Sequence, residues 1–266
     1  MNSFPYLSHG WNANPVVLAG LAAAAWLYVR TCGRRGRPAL FGGALALVAL
    51  AFLSPLDLLS RGVLFSAHMA QHIILLLLVP ALVLLSLPKT KRADRAMAEN
   101  SGRRQPVQIA IATWMLGVGS MWFWHVPQFC NAAAASSGVH LIQTVSLLGL
   151  GTAFWWPILS PRPAARLNPG FGIAYLFTAC IACTALGILL TLTPVDVCPI
   201  FKAPSTAPAA WVQLRDRLTP ARDQQIGGLL MWLPMCLVYV AAIVLELARW
   251  FGEPRPEPAH APSSAS

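Results

Sequence analysis

The stretch from Val63 to Leu87 is long and apolar enough to cross a bilayer as a helix, yet it carries two histidines one turn apart. That combination fixes most of what the chain can become. In hydrocarbon every backbone polar group must find its partner within the segment, so the run has to be helical. The helix must also turn His68 and His72 away from lipid, into a bundle of other helices. Imidazoles at i and i+4 share one helix face, the geometry that lets both reach a single metal ion. Two other readings stay open for the pair: ligation of haem iron, and plain hydrogen bonding to neighbouring helices.

The remaining sequence supplies the other helices. Of 266 residues, 56% are hydrophobic and only 11% charged, whereas a soluble domain carries about 25% charge. The apolar runs are continuous rather than alternating, which argues against a β-barrel. The expected fold is all-α, a polytopic transmembrane bundle of about seven spans. They fall near Asn14–Arg30, Ala39–Leu53, Gly62–Leu87, Pro106–Trp124, Val139–Leu159, Phe171–Thr193 and Gln225–Phe251. Residues 1–251 make one transmembrane domain in this reading, and 252–266, rich in Pro, Ala and Ser, a disordered tail. Pro80 is expected to kink the third span.

A net charge of +10 would suit nucleic acid, but the basic residues gather between the apolar runs. They act as topology signals, and no nucleic-acid partner is expected. Arg34, Arg35 and Arg37 follow the first span. Lys89, Lys91, Arg92, Arg95, Arg103 and Arg104 follow the third, and Arg162 and Arg166 the fifth. The positive-inside rule then places the N-terminus outside and the C-terminal tail in the cytoplasm. The first run has its basic cluster after it rather than before it, so it is expected to be an uncleaved anchor.

On that topology His68, His72, His125 and His140 fall in the outer half of the membrane. Asp223 opens the seventh span on the same side, with Met231 and Met235 one and two turns deeper. Imidazole with thioether suits copper, above all the cuprous ion, while zinc gives the thioether no role. The candidate ligand set is His68, His72 and His140, completed by His125, Asp223 or Met231. Asp223 has two other readings, as a group orienting a ligand histidine and as a cap on its own helix. Cys130 and Cys198 lie on the outer side, where a disulfide is chemically allowed. Cys180 and Cys183, spaced i, i+3 near mid-membrane, either pack or carry a transient cuprous ion. No nucleophile–base constellation or phosphate loop is present in the sequence, so an enzyme is not expected.

Five segments share an order found elsewhere: Ser54-Pro55-Leu56-Asp57, Phe65-Ser66-Ala67-His68-Met69-Ala70-Gln71-His72, Trp124-His125-Val126-Pro127, Phe154-Trp155-Trp156-Pro157 and Asp223-Gln224-Gln225-Ile226-Gly227-Gly228-Leu229-Leu230-Met231-Trp232. Together they resemble the seven-span CtaG family of cytochrome c oxidase assembly factors, from about Leu53 to Phe251. The resemblance implies a part in maturing a haem–copper oxidase, at copper insertion, in a bacterial inner (plasma) membrane. Its implied partners are the lipid bilayer, oxidase subunits or other assembly factors, and a copper donor protein. His68 and His72 match the family's first histidine pair, His125 its Trp-His-x-Pro element and His140 the first member of a second pair. The chain departs at Thr144, where many members carry the second histidine of that pair, and at Cys198, where a tyrosine is usual. Three other functions stay open: a haem-handling membrane protein, a copper permease using Cys180 and Cys183, and a metal-free scaffold.

Overall fold

The fold was taken from a computed structural model, which describes residues 10–89, 105–201, 213 and 217–252. In chain order the helices are α1 (Pro15–Thr31), α2 (Pro38–Leu53), α3 (Pro55–Ser60), α4 (Phe65–Ile73), α5 (Val79–Ser86), α6 (Gln105–Trp124), α7 (Pro127–Ala135), α8 (Ser137–Leu159), α9 (Pro169–Leu192) and α10 (Pro220–Gly252). Six of these begin on a proline, whose missing N–H and fixed φ suit the first helical position. Asn14, Ser54 and Asn168 each stand just before such a proline and cap the freed N–H groups behind it. No strand occurs among the described residues, and the architecture is all-α as expected.

Five helices are long and apolar enough to cross a membrane: Phe65–Ser86, Val107–Trp124, Ser137–Leu159, Pro169–Leu192 and Pro220–Gly252. The expected first two spans are also helices, but with 17 and 16 residues α1 and α2 sit at the lower limit for crossing about 30 Å of hydrocarbon. Apolar side chains face outward along the bundle, among them Ile111, Met115, Leu141, Ile142, Ile181, Leu237 and Val244. A belt of this extent belongs against lipid rather than water. Lys91, Arg92, Arg95, Arg103, Arg104 and the expected tail lie outside the described residues.

The long third span is a compound helix. A π-helical stretch, Ile74–Leu78, joins α4 to α5 without a break, and the Val79 N–H reaches back to the Ile74 carbonyl. Such a widened turn accommodates Pro80, which has no N–H to offer the Leu76 carbonyl four residues earlier. The expected kink is thus an unwinding of one turn, placed directly after His72. Gly151 of α8 packs on that freed carbonyl; any side chain there would collide with the Leu76 backbone. We expect Gly151→Val to push α8 off the compound span and cost about 1–3 kcal/mol. Thermal unfolding of the detergent-solubilised variant checks this, and an unchanged midpoint would contradict it.

Packing brings the chemistry-bearing segments together. α9 and α10 form the most extensive pairing, and α4 lies against α10, α6 against α8, and α2 against α5. Gly227 lets α10 close on α4, because a Cβ there would strike Phe65 and Met69. Gln71, on the histidine helix, donates from Nε2 to the Ala51 carbonyl of α2 at 2.6 Å. At the opposite end of the bundle Arg35, Arg37, Lys89 and Arg166 converge around one cavity.

Candidate metal centre

Four imidazoles gather where α4, α6 and α8 meet. His68 and His72 stack along one face of α4, with ring centroids 4.3 Å apart. His140, in the first turn of α8, stands 6.2 Å from His68. His125 follows directly after α6 and stands 5.3 Å from His72. All four are buried, with 0%, 3%, 8% and 5% exposure for His68, His72, His140 and His125. The spacing of the sequence segments gave no assurance that these rings meet; the packing of α8 and α6 on α4 brings them together. The fourth imidazole comes from His125, on a different helix from His140. Thr144 lines a lateral cavity between α1, α2 and α8.

The hydrogen bonding of these rings is unusual. Both nitrogens of His68 and both of His72 lack a hydrogen bond of good geometry, as does the Gln143 Nε2; Gln143 lies near His72 and the Ser60 backbone near His68. A buried polar atom left unpaired costs on the order of 1–3 kcal/mol, so a cluster of such atoms calls for a counterpart. His125 is held differently. Its Nδ1 meets the Met121 carbonyl at 2.5 Å. A carbonyl only accepts, so Nδ1 carries the proton, and Nε2 of the neutral ring is a bare lone pair. That lone pair faces the Met69 sulfur at 3.1 Å. A thioether has no hydrogen to give, so two donors of electron density point at one region. Imidazole nitrogen and thioether sulfur are the donor types that suit a soft cation.

Asp223 is engaged elsewhere. Its Oδ2 accepts from the Phe65 N–H at 2.6 Å, and its Oδ1 from the Ser66 N–H at 3.1 Å and the Ser66 hydroxyl at 2.5 Å. It caps the N-terminus of α4, the histidine helix, from a residue on α10. Of the sequence readings, a cap was right in kind, but the helix capped is not its own. Met231 is buried in the shared core, and the thioether that meets an imidazole is Met69. Met69 lies inside the His-Met-x-x-His segment and was passed over as a donor. The signal was present, because a residue next to His68 and three before His72 borders the same helix face. Asp57 pairs with Arg61 at 3.0 Å and accepts from Asn12 at 3.3 Å, which ties down the outer turn.

As the side chains stand, no three His, Cys, Asp or Glu groups among the described residues converge tightly enough to hold one ion. The donor chemistry nonetheless fits a copper ion: neutral imidazoles with free nitrogens, a thioether at 3.1 Å from one of them, and both nearby carboxylates already committed. Met69, His125 and the α4 pair are the groups that would hold it.

The histidine end of the bundle is closed by a strap. Residues 193–201, after α9, cross above His68, and the Phe201 ring lies 5.4 Å from the His68 ring and 5.6 Å from Phe65. A Cys130–Cys198 disulfide ties the strap to α7. The Gln224 amide fastens it from α10, accepting from the Val197 N–H at 2.9 Å and donating toward the Leu190, Thr193 and Val195 carbonyls at 3.2–3.3 Å.

A bundle of membrane-length apolar helices around a buried cluster of four histidines defines a class of helical membrane protein. Residues 20–253 match the family described as cytochrome c oxidase caa3 assembly factor, and the chain belongs to that family. It is also 26% identical over 223 residues to an uncharacterised protein, ML1998, of Mycobacterium leprae (strain TN). That match covers 76% of this chain but 32% of the relative, so the chain spans about a third of the length of the curated relative it matches. No solved structure matches it.

Proposed function

We propose that this chain receives a copper ion on the outer side of a bacterial plasma membrane and passes it to a haem–copper oxidase under assembly, without catalysing a reaction. The observation that carries the reading is the pair of fully buried imidazoles, His68 and His72, with four nitrogens that lack a well-formed hydrogen bond and two further imidazoles in reach. Membership of the oxidase assembly family supplies the client. The orientation rests on charge: Arg35, Arg37, Lys89 and Arg166 gather at the end opposite the histidines, as a seven-span bundle with its N-terminus outside requires.

In this reading each residue has a distinct part. His68 and His72 offer nitrogens along one helix face. Met121 holds the His125 proton on Nδ1, which keeps Nε2 free for the ion beside Met69. Every donor is neutral, because Asp223 is committed to the N-terminus of α4 and Asp57 to Arg61. A neutral set favours a soft monovalent ion over a hard divalent one and leaves its charge uncompensated. Copper held this way is exchangeable, as cargo must be.

The test is the copper content and visible spectrum of the purified wild type beside a His68→Ala/His72→Ala variant. We expect about one copper per chain at these ligands, lost in the variant, and no Soret band. A Soret band would replace copper by haem. Nitrogen-ligated copper retained in the variant, or absent from a folded wild type on which oxidase maturation still depends, would leave the scaffold reading.

A further inference from the structure

The two cysteines that lie three apart on α9 part company in the fold. Cys180 turns toward α10, where its Sγ lies 3.1 Å from the Cys236 Sγ, and the Thr184 hydroxyl lies 3.1 Å from Cys236 as well. Cys183 turns into the core, with its Sγ 3.7 Å from the Met121 sulfur and 3.7 Å from the Tyr239 hydroxyl. All three are free thiols, and Cys180 sits at the middle of the 24-residue α9, far from either loop.

We infer that Cys180 and Cys236 form a second, sulfur-only site for a cuprous ion, separate from the histidine cluster. Thiolate and thioether donors suit soft ions such as Cu⁺. Charge also favours it. When Cu⁺ displaces the proton of one thiol, a neutral copper–thiolate forms with a neighbouring sulfur as second donor, and one proton is released to water. No electron moves. A neutral centre avoids most of the cost of placing charge at mid-bilayer depth.

Helix packing does not account for the thiols. Close approach of α9 to α10 is provided elsewhere, by Gly187 under Trp232 and Gly228 against Thr191, where any added Cβ would collide. The 3.1 Å between Cys180 and Cys236 is far longer than a disulfide bond of about 2.05 Å. Met121 links the two donor sets. Its carbonyl takes the His125 proton while its sulfur meets Cys183, and it is itself buried in the core. His125 lies one helical turn further out. A soft ion leaving the histidines would therefore meet Met121 and Cys183 next on an inward course.

The inference shares the metal with the proposed function but uses other ligands, so the two are tested separately in one experiment. The intact protein in detergent is titrated anaerobically with Cu(I) against a chromogenic chelator, and X-ray absorption of the loaded protein reads the donor atoms. The wild type is expected to bind two equivalents. Cys180→Ser/Cys236→Ser is expected to lose one and keep a copper with nitrogen donors. His68→Ala/His72→Ala is expected to lose the other and keep a copper with sulfur donors only. If only the histidine copper is missing, the proposed function fails and the thiol site stands. The thiol site is overturned if the cysteine variant binds as much copper as the wild type, or if Cys180 and Cys236 emerge oxidised to each other in intact-mass and thiol-labelling analysis. Should the cysteine variant not fold, the wild type decides: absence of a sulfur-only copper at two equivalents overturns the site.

Discussion

Replacing Asp223 by alanine is expected to lower the thermal midpoint of the protein by roughly 6–12 °C. The carboxylate is buried and accepts three hydrogen bonds from Phe65 and Ser66, the first residues of α4. Alanine leaves two backbone N–H groups and a hydroxyl without this partner in a largely buried place. Hydrogen bonds to a charged group contribute about 1.5–3 kcal/mol each, and a net loss on the order of 3 kcal/mol is a conservative reading. For a domain of this size each kcal/mol moves the midpoint by about 2–4 °C. The negative charge also sits at the positive end of the α4 dipole, a favourable placement that alanine removes. Asp223→Asn should fall between the two, since its oxygen can serve Ser66 while its amide nitrogen must face the Phe65 N–H donor to donor. A midpoint within about 2 °C of wild type for Asp223→Ala, on the same scale, would show that the cap does not hold the helix.

The consequence for the site separates Asp223 from the histidines. His68 lies one turn from the capped end, and its N–H bonds to the Leu64 carbonyl. Fraying that turn moves His68 but leaves His72, braced by Gln71 on α2, in place. Asp223→Ala should therefore weaken metal retention together with stability. His68→Ala/His72→Ala should remove retention while the melting midpoint shifts much less.

Much of this architecture was legible in the chain because hydropathy and proline act locally. Each apolar run became a helix near its expected ends, and prolines marked the starts. The gathering of the histidines was legible only in part. The i, i+4 spacing put His68 and His72 on one face, but the meeting of His125 and His140 with them depends on how α6 and α8 lean on α4, which glycine contacts such as Gly151 on Leu76 decide. The Asp-Gln-Gln segment shows the limit most clearly. Adjacent residues on α10 serve two different elements: Asp223 caps α4 while Gln224 fastens the strap. Sequence position cannot tell a cap on the residue's own helix from a cap on a neighbour 157 residues away. Likewise the Cys180–Cys183 spacing suggested one motif, and the fold directs the two sulfurs to different helices.

Cutting the Cys130–Cys198 disulfide, by Cys130→Ser/Cys198→Ser or with a membrane-impermeant reductant, is expected to speed Cu(I) uptake by the histidine cluster by on the order of tenfold, the scale of a 1.4 kcal/mol change in the cost of a local opening. The argument is one of access. His68 and His72 have essentially no exposed surface, so an ion from outside needs a path, and the nearest cover is the strap with Phe201 over His68. Three restraints hold that cover: the Gln224 hydrogen bonds, the bond from the Ile200 N–H to the Asn131 Oδ1 of α7, and the disulfide to α7. The hydrogen bonds open and close spontaneously; the covalent bond does not, and it limits how far the strap can swing. Reduction by an external dithiol balances as thiol–disulfide exchange, with two protein thiols formed and one disulfide in the reductant. The two thiols so freed lie at the mouth of the path, where they add soft donors for an arriving cuprous ion. The same bond closes a loop of 68 residues, so in a soluble chain its loss would cost about 4 kcal/mol of stability by the chain-entropy account. Here the helices between the two cysteines stay inserted when the protein unfolds, and the loss should be much smaller. Stopped-flow uptake measured well below the melting temperature keeps gating apart from unfolding. Faster uptake with an unchanged final copper content marks the strap as the gate; an unchanged rate means the ion reaches His68 from the lateral cavity lined by His140, Arg61 and Thr144 instead.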